Sequence, residues 1–347
     1  MRMRRIRAWT LAILLTGCAG PAVTDMHETQ SPSDFSHQTA TGTPRLEDGA
    51  FIADDGARLP MRAWLPAGPV KAAVLALHGF NDYSNAFESQ GTAWEKAGIA
   101  TYAYDQRGFG WSPERGRWSG TRRMAQDMAE ASRLLKARYP GVPLYILGES
   151  MGGAVAIVGA SGTAGAEKPV ADGYILMAPA VWGRSSMNVF ERAALWITDS
   201  LAPGWTLTGQ SLRILASDNI EMLRELGRDP LVIKSTRVDT ISGLVDLMSL
   251  ALQSGPRFDE RTLLLYGAHD ELIPAAPMRE FVQSLPPAGA DRRRIAYYPN
   301  GYHMLGRDLE GAVVIADMQS WMLRPKAPLP SGVDREPPIT ASRNPGI

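Results

Sequence analysis

A serine between glycines marks the first place in this sequence where covalent chemistry could occur. Ser150 lies within the run Gly-Glu-Ser-Met-Gly-Gly at 148–153, which follows an apolar segment and precedes a stretch of small residues. In a sharp turn between a strand and a helix, a serine can be held in a strained conformation that exposes its hydroxyl, and small neighbours let the two elements pass closely. The run therefore predicts a nucleophile elbow at Ser150, with a structural glycine-rich turn as the alternative.

A serine hydroxyl is a poor nucleophile at neutral pH unless a base removes its proton, so the histidines decide whether Ser150 can react. The five histidines are His27, His37, His78, His269 and His303. The first two lie in a polar amino-terminal stretch. His78 ends an apolar run and precedes a glycine, a position that suits a residue that shapes a loop. His269 directly precedes Asp270, and because the side chains of adjacent residues diverge, Asp270 would rarely align with the His269 ring. His303, which follows the last apolar run, is therefore the predicted base.

Asp270 is predicted to orient the ring of His303. Together with Ser150 these residues give the chain order Ser, Asp, His, which is one of the known orders of a catalytic triad. A loop histidine with other partners and a turn-forming aspartate remain the alternatives. Asp82 and Glu149 lie close to the same motifs in sequence and are interpreted as polar loop groups.

Five motifs follow one another along the chain. They are His-Gly-Phe at 78–80, Asp-Gln-Arg-Gly-Phe-Gly-Trp-Ser at 105–112, Gly-Glu-Ser-Met-Gly-Gly at 148–153, Gly-Ala-His-Asp-Glu-Leu-Ile-Pro at 267–274 and Gly-Tyr-His at 301–303. In this order they resemble the motifs of the α/β-hydrolase superfamily, and within it the monoacylglycerol lipase and lysophospholipase branch. The resemblance covers most of residues 70–323 and implies an acyl-transfer enzyme whose oxyanion hole is formed by the backbone N–H groups of Phe80 and Met151. Phe80 is bulkier than the small residue often found at its position in the family.

Short apolar runs alternate with longer segments of helical period, and this alternation would bring the five motifs together. Near-continuous apolar strands predict an α/β fold with a mostly parallel central sheet, helices on both faces and a ligand crevice at the carboxyl ends of the strands. An antiparallel hairpin is predicted at the sheet edge around Gly56. The candidate strands are residues 70–77, 99–104, 144–147, 174–177, 263–266 and 295–298.

The folded domain is predicted to span residues 47–323, with an insertion at about 182–254 that has helical pattern and no convincing strand. This insertion would form a helical cap over the crevice. Its apolar residues are predicted either to line an acyl-chain tunnel or to form the core of the cap itself. They are Trp182, Phe190, Leu195, Trp196, Ile197, Leu201 and Trp205, followed by Leu244, Leu247, Met248 and Ala251.

The amino terminus predicts export and lipid anchoring. Arginines precede a short apolar stretch that ends near Cys18, the one cysteine of the chain, and this stretch is too short to span a bilayer. Leu-Thr-Gly-Cys resembles the lipobox of bacterial lipoproteins, which implies a signal peptide at 1–17, acyl chains on Cys18 and a place in the bacterial cell envelope. Ala19 resembles the pattern for sorting to the outer membrane. An ordinary cleaved signal is the alternative.

Both ends of the chain flanking the domain are predicted to be disordered. Residues 18–46 are rich in small and polar residues and would form a tether. Residues 324–347 contain many prolines and would form a tail.

The composition excludes several classes of protein. The chain has 347 residues, 36 basic and 36 acidic, and 45% are hydrophobic, which is typical of a globular domain and argues against nucleic-acid binding, a fibre or a polytopic membrane protein. No metal or organic cofactor is expected, because the predicted triad needs none and the sequence has no His-Glu-x-x-His, Cys-x-x-Cys or Walker motif.

The sequence thus predicts a serine ester hydrolase of the monoacylglycerol lipase or lysophospholipase type, acting on a small lipid-like ester. The same triad could instead cleave short-chain carboxylesters, or an amino-terminal peptide bond if acids of the cap held the substrate amine. A non-catalytic binding lipoprotein is a further alternative. The oligomeric state is left open. The candidate cap acids are Asp199, Asp218, Glu221 and Glu225.

Overall fold

The computed structural model describes residues 42–184, 187, 189–208 and 214–335. The signal peptide predicted at 1–17, Cys18 and the tether up to residue 41 lie outside the described residues, as does the tail from residue 336. The signal peptide, the lipid anchor on Cys18 and disorder in these segments stay predictions.

A nine-stranded sheet forms the centre of the fold. The strands of the described residues are β1 (Arg45–Glu47), β2 (Ala50–Ile52), β3 (Arg58–Trp64), β4 (Ala72–Leu77), β5 (Ile99–Tyr104), β6 (Leu144–Glu149), β7 (Gly173–Met177), β8 (Thr206–Thr208), β9 (Ser235–Arg237), β10 (Thr262–Gly267) and β11 (Arg293–Tyr298). The sheet order is β1-β2-β3-β5-β4-β6-β7-β10-β11. Neighbours from β5 to β11 are parallel, while β1, β2 and β3 extend the edge in antiparallel pairing. The predicted mostly parallel sheet and its edge hairpin are confirmed.

Helices cover both faces of this sheet, because its central strands are apolar on both sides. All six residues of β4 are buried. Leu75 points into the core that contains Met128, and its neighbour Val74 points into the core on the opposite face, with Trp94. The helices are α1 (Glu88–Glu95), α2 (Thr121–Arg138), α3 (Met151–Ala160), α4 (Val189–Leu201), α5 (Ile220–Arg228), α6 (Val238–Gln253), α7 (Ala275–Ser284) and α8 (Gly311–Leu323).

The cap lies between β7 and β10 and contains α4, α5 and α6, as expected for an insertion at about 182–254. The expectation that it holds no strand is wrong, because β8 and β9 pair as a small antiparallel sheet. Each of these strands has three residues, rich in Thr and Ser, so neither has the apolar alternation that identifies a strand in a sequence.

The ordered domain is longer than predicted at both ends. Arg45–Glu47 forms β1 within the range assigned to the tether, so the boundary at 46 lies too late. The tail predicted to start at 324 is wrong over residues 324–335, where Leu329 is buried and the Ser331 N–H donates to Asp317 Oδ1 at 3.0 Å. Leu329, the contacts of Ser331 with Asp317 and the hydrogen bond from Arg294 to the Ala327 carbonyl together hold this segment on the domain. Within the described ranges, no helix has the length and apolarity to cross a membrane.

Candidate active site

Ser150 occupies the sharp turn between β6 and α3. Its backbone has φ 52° and ψ −113°, a left-handed conformation that is strained for a residue with a side chain. The Ser150 N–H donates to the Met177 carbonyl at 2.9 Å, and the Ser150 carbonyl accepts from the Ala180 N–H at 2.9 Å. Contacts with the end of β7 and with the residues that follow it therefore hold the strained turn in place.

Small residues around Ser150 allow β6, β4 and α3 to approach closely. A Cβ on Gly152 would lie 2.0 Å from the Leu77 carbonyl oxygen, and a Cβ on Gly148 would lie 2.5 Å from the Gly152 backbone. Neither contact is tolerated by any side chain. The glycines of the run at 148–153 are thus required by packing, as the sequence predicted.

His303 and Asp270 form a buried pair. His303 Nδ1 lies 2.9 Å from Asp270 Oδ2, and since an ionised carboxylate can only accept, the ring nitrogen donates. Asp270 Oδ1 accepts the backbone N–H groups of Leu272 and Ile273, each at 2.9 Å. With Nδ1–H committed to Asp270, a neutral ring presents Nε2 as a proton acceptor.

The charges around His303 favour its protonated form. Burial lowers the pKa of the ring, but the charge and hydrogen bond of Asp270 raise it, as does the Glu149 carboxylate, while the Arg307 guanidinium lowers it. The net result is a pKa above the ordinary value for histidine. The site therefore stabilises an imidazolium, which is the form a general base takes once it has accepted a proton.

Ser150, Asp270 and His303 follow β6, β10 and β11, whose carboxyl ends lie at one edge of the sheet. Glu149, next to Ser150, is hydrogen-bonded to Arg307 in the loop of His303, so the two loops touch. Among the described residues, no hydrogen bond joins the Ser150 hydroxyl to the His303 ring, a bond that is often long or poorly aligned before substrate binds.

The loop after β4 lies against the turn of Ser150. A Cβ on Gly79 would lie 3.5 Å from the Ser150 Cβ. The backbone N–H groups of Phe80 and Met151, the predicted oxyanion donors, have no acceptor within the part of the chain that the structure describes. Met151 is the first residue of α3, where an unpaired N–H is expected.

The remaining two histidines of the domain have other environments. His78 is fully buried, its Nε2 accepts the Gln106 N–H at 2.9 Å, and its Nδ1 donates to the Gly79 carbonyl at 2.8 Å. Burial lowers the pKa of His78, so it stays neutral and shapes the loop, as predicted. The exposed His269 stacks on the Tyr302 ring at 5.2 Å.

The sequence interpretation missed an ion-pair network beside Ser150. Asp82 and Glu149 are not independent loop groups, because the Arg307 guanidinium binds both, at 2.7 Å and 3.0 Å. The partners are separated by 225 and 158 residues of sequence, and no local pattern relates them.

The cap is hydrogen-bonded to the site at two places. Its segment 229–236 contacts the loop after β4 and its segment 215–219 contacts the loops of Asp270 and His303. The first set consists of Ile233 N–H to Asn81 O at 2.9 Å, Asn81 Nδ2 to Thr236 Oγ1 at 2.7 Å and Tyr83 OH to Asp229 Oδ2 at 2.7 Å. The second consists of Leu215 N–H to Glu271 Oε2 at 2.9 Å, Met304 N–H to Ala216 O at 3.0 Å, Ser217 Oγ to Asp308 Oδ1 at 2.6 Å and Asn219 Nδ2 to Arg307 O at 3.1 Å.

The apolar residues of the cap divide into two groups. Leu247, Met248 and Ala251 are buried in the main core. Trp196 and Leu201 are 68% and 81% exposed, and Ile197 and Trp205 are also exposed, so these four do not form the core of the cap. A tunnel lining by these residues stays a prediction. The Phe190 side chain lies outside the described atoms.

The chain is similar in sequence to monoglyceride lipases. The rat monoglyceride lipase is 25% identical over 303 residues, covering 86% of this chain and 96% of the rat protein. The monoacylglycerol lipase of Mycolicibacterium smegmatis is 24% identical over 283 residues, covering 79% and 96% of the two chains.

Among solved structures, a soluble variant of the monoglyceride lipase from Saccharomyces cerevisiae, in complex with a substrate analogue, superposes with a TM-score of 0.65. It is 20% identical, and the match covers 84% of this chain and 98% of that chain. The monoacylglycerol lipase of Paleococcus ferrophilus gives a TM-score of 0.61 at 22% identity, covering 76% and 98%. These likenesses confirm the α/β-hydrolase fold.

A family model, Hydrolase_4, described as serine aminopeptidase, S33, matches residues 68–310, the stretch that contains every element of the site. This stretch is more than half of the chain. The protein therefore belongs to the Hydrolase_4 family and is a hydrolase with the α/β-hydrolase fold, of the kind found in lipases and esterases.

Proposed function

We propose that this hydrolase cleaves carboxylic esters of the monoacylglycerol or lysophospholipid type through an acyl-enzyme at Ser150. The observation that carries the proposal is the buried pair of His303 and Asp270 at the sheet edge where Ser150 sits in a strained turn. Acyl transfer requires a nucleophile, a base that accepts its proton and a carboxylate that orients the base, and these three residues supply those groups.

In the proposed reaction, His303 Nε2 accepts the Ser150 hydroxyl proton while Oγ bonds to the ester carbonyl carbon. The carbonyl oxygen gains the negative charge and accepts the N–H groups of Phe80 and Met151, a kind of contact worth about 3 kcal/mol in the transition state. The bond to the alcohol then breaks, and the alcohol leaves with the proton from His303. Water repeats the exchange, which releases the carboxylic acid and restores Ser150. Asp270 keeps the ring oriented and stabilises the imidazolium.

The cap surface and the relatives support a lipid-like substrate. Trp196, Ile197, Leu201 and Trp205 present apolar groups to solvent. Exposed apolar side chains of this size suit contact with aggregated or membrane-bound esters better than with small polar ones. The names of the rat and mycobacterial relatives point to the same class.

The description of the family favours one alternative, removal of amino-terminal residues from peptides. That activity needs carboxylates gathered around the substrate amine. Three of the four candidate acids of the cap have other partners or face solvent: Asp218 Oδ1 accepts the Leu309 N–H at 2.8 Å, Glu221 pairs with Arg224 in its own helix, and Glu225 is exposed. The fourth, Asp199, lies on α4 and is half-buried. Ester hydrolysis is therefore the better supported function.

Labelling by a fluorophosphonate probe tests the nucleophile. The wild type should be labelled, Ser150→Ala should not, and Ser200→Ala, an exposed serine of α4, should behave as the wild type. Undiminished labelling in Ser150→Ala would reject the assignment.

The substrate class is tested by a chain-length series of aryl esters and monoacylglycerols beside aminoacyl arylamides. Rates that rise with acyl length support the proposal. A rate optimum at acetate or butyrate would favour a short-chain carboxylesterase, and preferential arylamide cleavage would favour the aminopeptidase.

The proposal includes a lipid anchor in the bacterial cell envelope, at the outer membrane, through acyl chains on Cys18. The lipobox-like run before Cys18 supports it, and two or more acyl chains hold a protein stably on a bilayer. Metabolic labelling with a palmitate analogue should depend on Cys18 and disappear in Cys18→Ser. Label retained in that variant would contradict the anchor.

A further inference from the structure

A buried guanidinium joins three loops beside the site. Arg307 Nη1 donates to Asp82 Oδ2 at 2.7 Å, and Nη2 donates to Glu149 Oε1 and Oε2 at 3.0 and 3.2 Å. The three side chains are 10%, 6% and 2% exposed, in the order Arg307, Asp82, Glu149. One side chain thus connects segments that the chain itself leaves far apart.

Each of these loops carries one group of the proposed reaction. Asp82 lies two residues after the predicted oxyanion donor, Glu149 directly precedes the nucleophile, and Arg307 lies four residues after the base. We propose that Arg307 is a positioning residue that fixes the oxyanion loop, the nucleophile turn and the histidine loop relative to one another. The inference rests on the proposed serine hydrolysis and adds to it a residue that touches no reacting atom.

The chemistry of arginine suits this role. Its planar, permanently charged fork can bind two carboxylates at fixed angles, whereas a lysine ammonium is a point charge on a flexible stem. A contribution to stability does not by itself explain this buried arginine, because buried ion pairs often stabilise a fold no more than apolar residues of the same volume. In addition, Arg307 Nε is buried with no hydrogen-bond partner in the described part of the chain, which makes the arrangement costlier still. Fixed geometry at a reacting centre gives the arrangement a purpose other than stability, because a displacement of about 1 Å can lower a rate about 100-fold.

The network also acts on the base. The charged groups that influence the His303 ring are Asp270, Glu149 and Arg307, of which the two carboxylates raise its pKa and the guanidinium lowers it. Removal of the positive charge should therefore raise the pKa of His303 further, and removal of the Glu149 charge should lower it. Because the neutral ring is the active base, the acid limb of the rate profile should move to higher pH in the first case and to lower pH in the second.

The test compares Arg307→Met, Arg307→Lys and Glu149→Gln on a soluble aryl ester, with Arg133→Met as the matched control. Arg133, on α2, forms an exposed ion pair with Glu167, so its replacement should leave all parameters unchanged. We expect kcat of Arg307→Met to fall about 100-fold while KM changes less than about threefold. Its acid limb should shift upward. Arg307→Lys should recover part of kcat and keep the acid limb of the wild type, and Glu149→Gln should shift the limb downward.

Loss of Arg307 leaves two buried carboxylates unpaired, so Arg307→Met could fail to fold. The triple variant Arg307→Met, Asp82→Asn, Glu149→Gln removes all three charges and keeps the side-chain volumes. It should melt as one cooperative unit and still show the low kcat. A folded triple variant with wild-type kcat, or an Arg307→Met enzyme with unchanged kcat and pH profile, would overturn the inference.

The outcome is separate from that of the proposed function. If the wild type hydrolyses esters and is labelled at Ser150, but the Arg307 variants match it, only the positioning role fails. If the wild type shows neither ester hydrolysis nor labelling at Ser150, the proposed function fails and the positioning role fails with it.

Discussion

Replacement of Asp270 by asparagine gives the sharpest test of the proposed base. Asp270 Oδ1 accepts the backbone N–H groups of Leu272 and Ile273, and Oδ2 accepts the His303 Nδ1–H. An asparagine has one accepting oxygen, and the two N–H groups require it at the Oδ1 position. Its NH₂ group must then face His303 Nδ1. The ring can receive that donor only if its own proton sits on Nε2, which leaves no lone pair to accept the Ser150 proton.

The wrong tautomer should lower kcat by about 10⁴-fold, as expected when such a triad loses its acid without losing its shape. That loss corresponds to about 5 kcal/mol of activation free energy, since each factor of ten is about 1.36 kcal/mol. Stability should change much less, because the asparagine keeps the contacts with Leu272 and Ile273. The pKa of His303 should fall as well, since burial lowers it and the Asp270 charge and hydrogen bond that raise it are gone.

The measurement is kcat for an aryl ester across pH, with fluorophosphonate labelling rates as a second readout of Ser150 reactivity. Asp259→Asn is the matched control, because Asp259 is exposed and pairs with Arg292 at the surface. A fall in kcat of less than about tenfold in Asp270→Asn would refute the reasoning, because a histidine held in the wrong tautomer cannot act as the base.

Three further outcomes follow from the same contacts. The kcat/KM of the wild type should rise with pH, with the midpoint of the rise above 6.5, because the pKa of His303 is raised and only the neutral ring accepts a proton. A midpoint below 6.5 would contradict this account of His303. Gly152→Ala should lower the free energy of unfolding in urea by about 3 kcal/mol or more, since its Cβ would meet the Leu77 carbonyl at 2.0 Å. Gly227→Ala, whose Cβ meets nothing within 4 Å, should change it by less than about 1 kcal/mol, and equal effects would be inconsistent with the packing. Thr236→Val removes the acceptor of Asn81 Nδ2 and should cost about 1 kcal/mol of stability, whereas Thr208→Val on the exposed β8 should cost nothing measurable.

The sequence was most informative where structure is local. The turn at Ser150 and the glycines around it follow from constraints within a few residues, so the run at 148–153 predicted them. The buried strands could also be predicted, because β4 and β10 are buried at every position, are mostly apolar in sequence, and form strands whatever their partner strand is. The pairing of His303 with Asp270 was reachable by elimination, since few histidines were available.

Features that depend on partners distant in the chain could not be predicted from the sequence. Nothing near Arg307 in the sequence points to Asp82 or Glu149, because these partners lie 225 and 158 residues away and meet it only in the folded structure. β8 and β9 are strands through mutual pairing rather than through apolar alternation. The tail was misjudged for a similar reason, as Leu329 is buried by a surface that the tail's own composition does not reveal.

The cap is hydrogen-bonded to two of the loops that carry groups of the proposed reaction. One part of the cap holds Asn81, whose left-handed backbone, φ 64°, directly follows the predicted oxyanion donor. Another part holds Asp308, in the loop of the base, through Ser217 at 2.6 Å. A shift of the cap would therefore move the oxyanion loop and the histidine loop together, so mutations in these two cap segments should lower kcat as well as raise KM. If the cap only shaped the substrate pocket, these mutations would change KM alone. Steady-state kinetics on a single ester distinguish a change in both parameters from a change in KM alone.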